Sequence, residues 1–184
     1  IVFKGNVFFE LASPIDDFCE SFANGLFKRN VNIGGYELDI AGITIERQRV
    51  IGSEAILETL SPVVAYSTLA KGDGSKYTCY FQPGERDFER IVVENLRKKY
   101  EAISGDRTED ELRIRCVTNP RMCVVEYKNI IIKGYMCKLK LSGSQRLIQV
   151  AVDAGLGSKN SMGFGCVRLA HKSRLHGFPA YRSL

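Results

Sequence analysis

The 184-residue sequence contains no apolar run that approaches the roughly eighteen residues of a membrane-spanning helix. No secretory signal opens it, and its six cysteines include no Cys-x-x-Cys pair. Scattered cysteines with apolar neighbours argue against a disulfide framework or a zinc site and favour buried thiols in a reducing compartment. The sequence therefore predicts a cytoplasmic protein that contacts no membrane, binds no metal and carries no cofactor.

The sequence also contains few histidines. The chain has two, His171 and His176, and both follow the last predicted strand. The net charge of +5 is modest, and part of it comes from residues 170–184, the tail that follows the last predicted strand. Nucleic-acid binding would therefore depend on local basic patches and not on a global positive field. Residues 170–184 show no periodicity and predict a flexible tail or a segment foreign to the natural protein.

Glycine is concentrated in one segment, residues 155–165, which we call the glycine loop. It holds two Gly-apolar-Gly pairs, with an amphipathic helix predicted before it and an apolar strand after it. Because glycine costs backbone entropy, two such pairs predict a backbone that bends tightly and comes close to something large. Between the pairs, a cation, hydroxyls and an amide suit phosphate oxygens. The candidate RNA-binding residues are Gly155, Gly157, Ser158, Lys159, Asn160, Ser161, Gly163, Phe164 and Gly165.

Other glycine motifs fit this segment poorly. A dinucleotide-binding loop follows a strand and needs a third glycine where Asn160 stands, and an NTPase loop needs Gly-Lys-Ser/Thr. The RNA-recognition signature fails because Cys166 and Leu169 stand where base-stacking aromatics belong. A plain connection that turns the chain from helix to strand remains an alternative.

The spacing Gly-apolar-Gly, five residues, Gly-apolar-Gly resembles the C-terminal signature of the CRISPR-associated endoribonucleases that cut repeat RNA. These form the sixth Cas family, within the RAMP superfamily. Segments 12–16, 60–64, 132–135 and 141–143 are similar to that family too, and they occur in its order. The resemblance implies tandem ferredoxin-like domains that bind and cleave CRISPR transcripts in antiviral defence. It also implies repeat RNA as the partner, and it leaves other Cas proteins and a second copy of the chain as further partners.

Hydrophobic periodicity predicts an α+β protein with two ferredoxin-like, RRM-like units. Residues 54–169 read as a complete β-α-β-β-α-β set with a hairpin arm from 55 to 81. Its long strands are predicted at 55–69 and 130–141, and its helices at 85–103, where Gly105 is placed to end the helix, and at 144–153. Residues 1–50 read only as a strand (1–11), a helix that begins at Pro14 and a strand (36–50), so the first unit is incomplete. We therefore expect three segments. They are 1–52 (half of a first domain), 53–169 (the second domain with the glycine loop) and 170–184 (the tail).

Metal-independent RNA cleavage needs a base for the 2′-hydroxyl proton and an acid for the leaving 5′-oxygen, and histidine suits both roles. The resemblance implies a catalytic histidine in the first N-terminal helix region. We therefore expect the catalytic residues upstream of Ile1, with the chain N-terminally truncated, so that cleavage by these 184 residues stays open.

Two other classes of function stay open. A non-catalytic RNA-binding member of the same superfamily would hold RNA within a CRISPR effector complex, and a generic ferredoxin-like protein would bind no RNA. Secondary candidates for RNA contact are three tyrosines and a basic run, although hairpin packing and a solvated face are the default interpretations. They are Tyr66, Tyr77, Tyr80, Lys128, Lys133, Lys138 and Lys140.

Overall fold

The computed structural model describes residues 5–28 and 31–170. Within these ranges there are three α-helices, which are α1 (Asp16–Lys28), α2 (Arg86–Ser104) and α3 (Gln145–Ala154). The ten strands found there are β1 (Val31–Ile33), β2 (Tyr36–Leu38), β3 (Glu54–Thr59), β4 (Ala65–Ala70), β5 (Lys76–Phe81), β6 (Leu112–Cys116), β7 (Arg121–Tyr127), β8 (Ile130–Met136), β9 (Lys138–Gly143) and β10 (Val167–Leu169). None of the helices in this part of the chain is both long and apolar enough to cross a membrane.

A four-stranded antiparallel sheet organises the second unit. Its spatial order is β10-β3-β9-β6. Counted along the unit, these are the fourth, first, third and second strands, with α2 after the first and α3 after the third. This order is that of a ferredoxin-like fold, and the first strand is central as predicted, since β3 pairs with both β9 and β10.

The core lies between this sheet and the two helices that pack on one of its faces. Alternate strand residues point inward, so Leu57, Leu139 and Leu141 are fully buried. The helices meet them with an apolar stripe, and each fully buried side chain of this size contributes about 1.5–3 kcal/mol. The helical members of the core that are at most 1% exposed are Phe88, Val92, Leu96, Leu147, Ile148 and Ala151.

The helices of the second unit begin and end within one residue of the predicted bounds, whereas α1 begins at Asp16 and not at Pro14. Ser144 caps α3, and its hydroxyl accepts a hydrogen bond from the amide of Leu147. Gly105 ends α2 in the left-handed conformation with a φ of 81°. These caps fix the ends of both helices, and the end of α3 is where the glycine loop starts.

Two long strands predicted from the sequence, 55–69 and 130–141, are each broken in two. The first is interrupted at 60–64 and the second at Cys137. At the break, the Thr59 hydroxyl accepts from the amide of Cys137 at 2.9 Å and donates to its carbonyl at 3.0 Å. The amide of Thr59 also donates to that carbonyl, at 3.1 Å. Beyond the break, β4 pairs with β5 and β8 pairs with β7 outside the main sheet, and the two pairs form arms. The pair Val63–Tyr135 joins these arms.

The residues that lead into the second unit already belong to its core. Val50 is buried among the core side chains, and its amide donates to the side chain of Gln149 at 2.8 Å. Gln145 donates to the carbonyl of Val50, and Gln48 accepts from the amide of Leu169. Residues 48–50 are therefore held against α3 and β10.

The first unit differs from the prediction outside its helix. The strand expected over 1–11 is absent from 5–11, and of the strand expected over 36–50 only Tyr36–Leu38 forms, paired with Val31–Ile33. Among the described residues, no third strand pairs with the β1–β2 hairpin. α1 forms as predicted but buries none of its residues.

This contrast predicts a difference in amide hydrogen exchange. Residues 6–11 lie outside any strand, whereas 139–141 are at the centre of the sheet. Because exchange of core amides requires global opening, amides at 139–141 should exchange more than about a thousandfold more slowly than those at 6–11. Equally slow exchange in both segments of a monomer would contradict the arrangement of the first unit described above.

Candidate nucleic-acid interface

The glycine loop bends sharply at four glycines. Gly155, which ends α3, and Gly157, Gly163 and Gly165 all have positive φ, between 66° and 86°. A short 3₁₀ turn lies between the two pairs. Positive φ is the conformation that favours glycine, so the tight bending expected from the sequence is present.

The two glycine pairs contact each other. Leu156 donates its amide to the carbonyl of Gly165 at 2.8 Å, and the Asn160 side-chain amide donates to the carbonyls of Leu156 and Phe164 at 3.2 and 3.0 Å. A Cβ on Gly165 would lie 2.0 Å from the oxygen of Leu156, and one on Gly155 would lie 2.8 Å from the oxygen of Gly165. Close approach is needed here, but the partner is the loop's own backbone.

The loop is also fixed to the break after β3. Ser158 donates its amide to the carbonyl of Val64 at 2.8 Å, and Gly165 donates to the carbonyl of Pro62 at 2.9 Å. A Cβ on Gly157 would lie 2.4 Å from the oxygen of Val64. Two of the segments that carry the family resemblance, 60–64 and the glycine loop, therefore form one unit in space.

A partly buried lysine completes this unit. Lys99 Nζ donates to the carbonyl oxygens of Ala154, Gly155 and Gly157 at 3.3, 2.7 and 3.2 Å. A cation at a helix C-terminus is favourable, because carbonyl oxygens point at it. Burial lowers the pKa of Lys99 to about 8, while the three carbonyls favour the charged form.

Sequence reasoning missed Lys99, although it left a signal. Lys99 stands in register with Val92, Leu96 and Ile103, at the 4-3-4 spacing of one helix face. Val92 and Leu96 are core residues. A lysine on an apolar face is a candidate for a specific buried partner, here the carbonyls at the end of α3.

The candidate RNA-binding residues divide by exposure. Gly155, Gly157, Phe164 and Gly165 are buried, and they shape the loop. The others are open to solvent in part or in full and form what we call the exposed rim, which consists of Ser158, Lys159, Asn160, Ser161 and Gly163. A Cβ on Gly163 would meet nothing within 4 Å.

Lys159 is the cation of the exposed rim. Its Nζ lies 5.2 Å from the centre of the Tyr66 ring, and the Tyr66 and Tyr80 rings are 5.9 Å apart. The Tyr80 hydroxyl donates to the carbonyl of Ile131, so both tyrosines pack the arms as the default interpretation expects. Within residues 5–28 and 31–170, no carboxylate pairs with Lys159, which leaves its charge available.

The other candidates from the sequence lie elsewhere. Lys138 and Lys140 are on the open face of the sheet and pair with Glu58 and Glu54, as on an ordinary solvated face. His171 and His176 lie outside the described residues. No cluster of three metal-ligating side chains occurs in the part of the chain that the structure describes.

The surface of the described residues includes the following two hollows. One, of about 720 Å³, is lined by residues of α1 alone, and none of the candidate residues borders it. The other, of about 460 Å³, lies between the glycine loop and β7. The second is the hollow that adjoins the exposed rim.

The second unit is thus an antiparallel ferredoxin-like domain whose last helix, α3, leads into a glycine loop held by hydrogen bonds. The family model described as CRISPR associated protein Cas6, C-terminal, matches residues 46–169. This is more than half of the chain, so the chain belongs to that family.

Individual relatives agree with this assignment. The chain is 27% identical over 165 residues to CRISPR-associated endoribonuclease Cas6 1 of Methanocaldococcus jannaschii, covering 89% of this chain and 63% of the relative. It is 24% identical over 164 residues to CRISPR-associated endoribonuclease Cas6 of Pyrococcus furiosus, covering 88% and 60%. The chain thus spans less than two thirds of the length of these relatives.

Solved structures resemble the fold. A Cas6-related protein from Pyrococcus furiosus superposes with a TM-score of 0.78 at 22% identity, covering 88% of this chain and 67% of the other. A CRISPR associated protein Cas6 superposes with a TM-score of 0.72 at 26% identity, covering 87% and 66%. An RAMP protein described as binding different RNA substrates gives 0.72 at 21% identity, covering 87% and 67%. These superpositions support the tandem ferredoxin-like fold class.

Proposed function

We propose that this protein binds CRISPR repeat RNA at the exposed rim of the glycine loop and acts in the maturation of CRISPR transcripts by endonucleolytic cleavage. The observation that carries the proposal is Lys159, a cation with which no carboxylate of the described residues pairs. It lies on a loop whose shape is held by the two glycine pairs and by Lys99. A preformed cationic loop binds phosphate with little loss of conformational entropy. The names of the relatives supply the RNA class.

The chemistry of the exposed rim suits phosphates better than base edges. Lys159 provides a point charge, and the hydroxyls of Ser158 and Ser161 donate hydrogen bonds to anionic oxygens. Such contacts position a nucleic acid without reading its sequence. The buried glycines and Phe164 are then part of the site as its scaffold.

We propose that cleavage, where it occurs, follows the metal-independent route, with the 2′-hydroxyl as nucleophile and a cyclic phosphate as product. The rim contains no group that titrates near neutral pH as histidine does. Proton transfer therefore belongs to residues other than those of the glycine loop.

A second candidate function is RNA binding without cleavage, within a CRISPR effector complex. It is favoured by the absence of histidine from residues 5–170. Incubation of repeat RNA with the protein and a metal chelator distinguishes the two functions. A cyclic-phosphate product supports cleavage, and intact RNA in a stable complex supports the binding role.

Partners and location follow as further parts of the proposal. Other Cas proteins and a second copy of this chain are the protein partners that family membership suggests. All six cysteines are free thiols, which fits a reducing cytoplasm.

Replacing Lys159 with alanine should weaken binding to many RNA sequences alike, by about 1 kcal/mol, because one charge-assisted phosphate contact is lost. The slope of log K against log salt should fall by about 1. Fluorescence titration of labelled RNA at several salt concentrations measures both. Lys98→Ala, which removes an exposed cation from α2, is the matched control and should bind like the parent. No RNA affinity at low salt by the folded parent protein would refute the proposed function.

A further inference from the structure

The hollow beside the exposed rim is an open, mostly apolar groove. It lies between the glycine loop and the arm formed by β7 and β8, and its volume of about 460 Å³ is within the range of small-ligand sites. Its lining includes Pro62, Val125, Tyr127, Met162 and Phe164. Phe164 is buried, whereas Val125, Tyr127 and Met162 are at least two-fifths exposed. Apolar side chains gathered around one concave surface indicate a binding surface.

Tyr127 gives the groove an aromatic wall. The ring is 49% exposed, and the Lys128 ammonium lies 5.3 Å from its centre. A cation near a ring attracts anionic ligands to the same place, while an exposed part of the ring stays available for stacking. Lys128 and Asn129 both have positive φ, which defines the tight turn that places Tyr127 at the end of β7.

The groove and the exposed rim share residues. Ser161 and Gly163 border the groove and belong to the rim that carries Lys159. A strand of RNA whose phosphates lie on the rim would therefore place a neighbouring base at the mouth of the groove. An unpaired base has a flat apolar face and a polar edge, which match an aromatic wall and the Ser161 hydroxyl.

We infer that the groove between the glycine loop and β7 is a docking site for one unpaired nucleobase, stacked on Tyr127, of the RNA whose phosphates bind the exposed rim. This inference rests on the proposed function and adds a base contact to it. The protein then holds single-stranded nucleotides next to the phosphates that Lys159 binds, and it discriminates against fully paired RNA at this point.

Paired titrations with two probes separate base docking from phosphate binding. The probes are oligouridine and an abasic ribose-phosphate oligomer of equal length. Tyr127→Ala should weaken binding of oligouridine about tenfold, the effect of losing one stacked base, and should leave abasic binding and the salt slope unchanged. Tyr127→Phe, which keeps the ring, should bind both probes like the parent.

Tyr77 supplies a matched control. It is 44% exposed, and Lys71 Nζ lies 5.9 Å from its ring, but it is on the arm formed by β4 and β5, away from the groove. Tyr77→Ala should bind both probes like the parent. Since the chain contains no tryptophan, Tyr127→Trp also introduces a single tryptophan that can be excited separately from the tyrosines. Oligouridine should quench its emission and the abasic oligomer should not.

The outcomes distinguish this inference from the proposed function. If Lys159→Ala weakens binding but Tyr127→Ala binds oligouridine like the parent, the rim binds phosphate and the groove holds no base. If Tyr127→Ala weakens the binding of both probes equally, base docking is also overturned. The tyrosine ring would then contribute to binding without stacking on a base. If the folded parent binds neither probe, the proposed function itself fails.

Discussion

Replacing Gly165 with alanine should lower the free energy of unfolding by about 3 kcal/mol or more. The added Cβ would lie 2.0 Å from the carbonyl oxygen of Leu156, and the residue has a φ of 72°. The left-handed conformation costs an L-residue about 1–2 kcal/mol, and forced displacement of packed backbone adds about 1–3 kcal/mol. In a chain of this size the midpoint of thermal unfolding should fall by about 10 °C.

Gly163→Ala is the matched control for Gly165→Ala. Its φ of 86° is equally positive, but a Cβ there meets nothing within 4 Å. Only the cost of the left-handed backbone conformation applies, so Gly163→Ala should lower the free energy of unfolding by about 1 kcal/mol. Equal losses at the two positions, measured by urea unfolding, would show that the glycine pairs do not need their close mutual approach.

Lys99→Met should cost about 2–4 kcal/mol of unfolding free energy. The variant keeps most of the side-chain volume but leaves the buried carbonyls of Gly155 and Gly157 without their donor. It should also weaken RNA binding, because the glycine loop and the end of α3 are then released from α2. Lys98→Met, on an exposed position of the same helix, should change stability by less than about 0.5 kcal/mol.

The difference between the parent and Lys99→Met should depend on pH. Burial lowers the pKa of Lys99 to about 8 from an ordinary 10.5, so between these values the unfolded chain binds a proton that the folded chain has released. The parent therefore gains stability relative to the variant as pH rises through this window, by at most about 1.4 kcal/mol per pH unit. A constant difference would mean that the three carbonyls fully offset the effect of burial.

The sequence predicted the second unit well because its signals are local. Helix caps at Ser144 and Gly105 and the apolar stripes of α2 and α3 depend on residues within a few turns. The broken strands were missed because the break is made at long range, where the Thr59 hydroxyl bonds to the backbone of Cys137. The alternation of apolar and polar residues along a strand does not show where that strand leaves the sheet.

The glycine loop was predicted in position but not in its internal arrangement, and its role in RNA binding stays a prediction. The glycine spacing located the loop, and it also suggested that the glycines meet a ligand. In the structure Gly155 and Gly165 face each other, and Gly157 faces Val64. Which surface a glycine lies against depends on tertiary contacts. The hydrogen bond that Lys99 donates to the carbonyl of Gly155 also depends on them, because the two residues are more than fifty positions apart along the chain.

Amide chemical shifts of the isotope-labelled protein, recorded while repeat RNA is added, test the central claim most directly. The account predicts that the largest shifts occur in the exposed rim, at Ser158, Lys159, Asn160, Ser161 and Gly163, and that they diminish as salt is raised. Shifts confined to the open face of the sheet, around Arg113 and Arg115 on β6, with the rim unchanged, would contradict it.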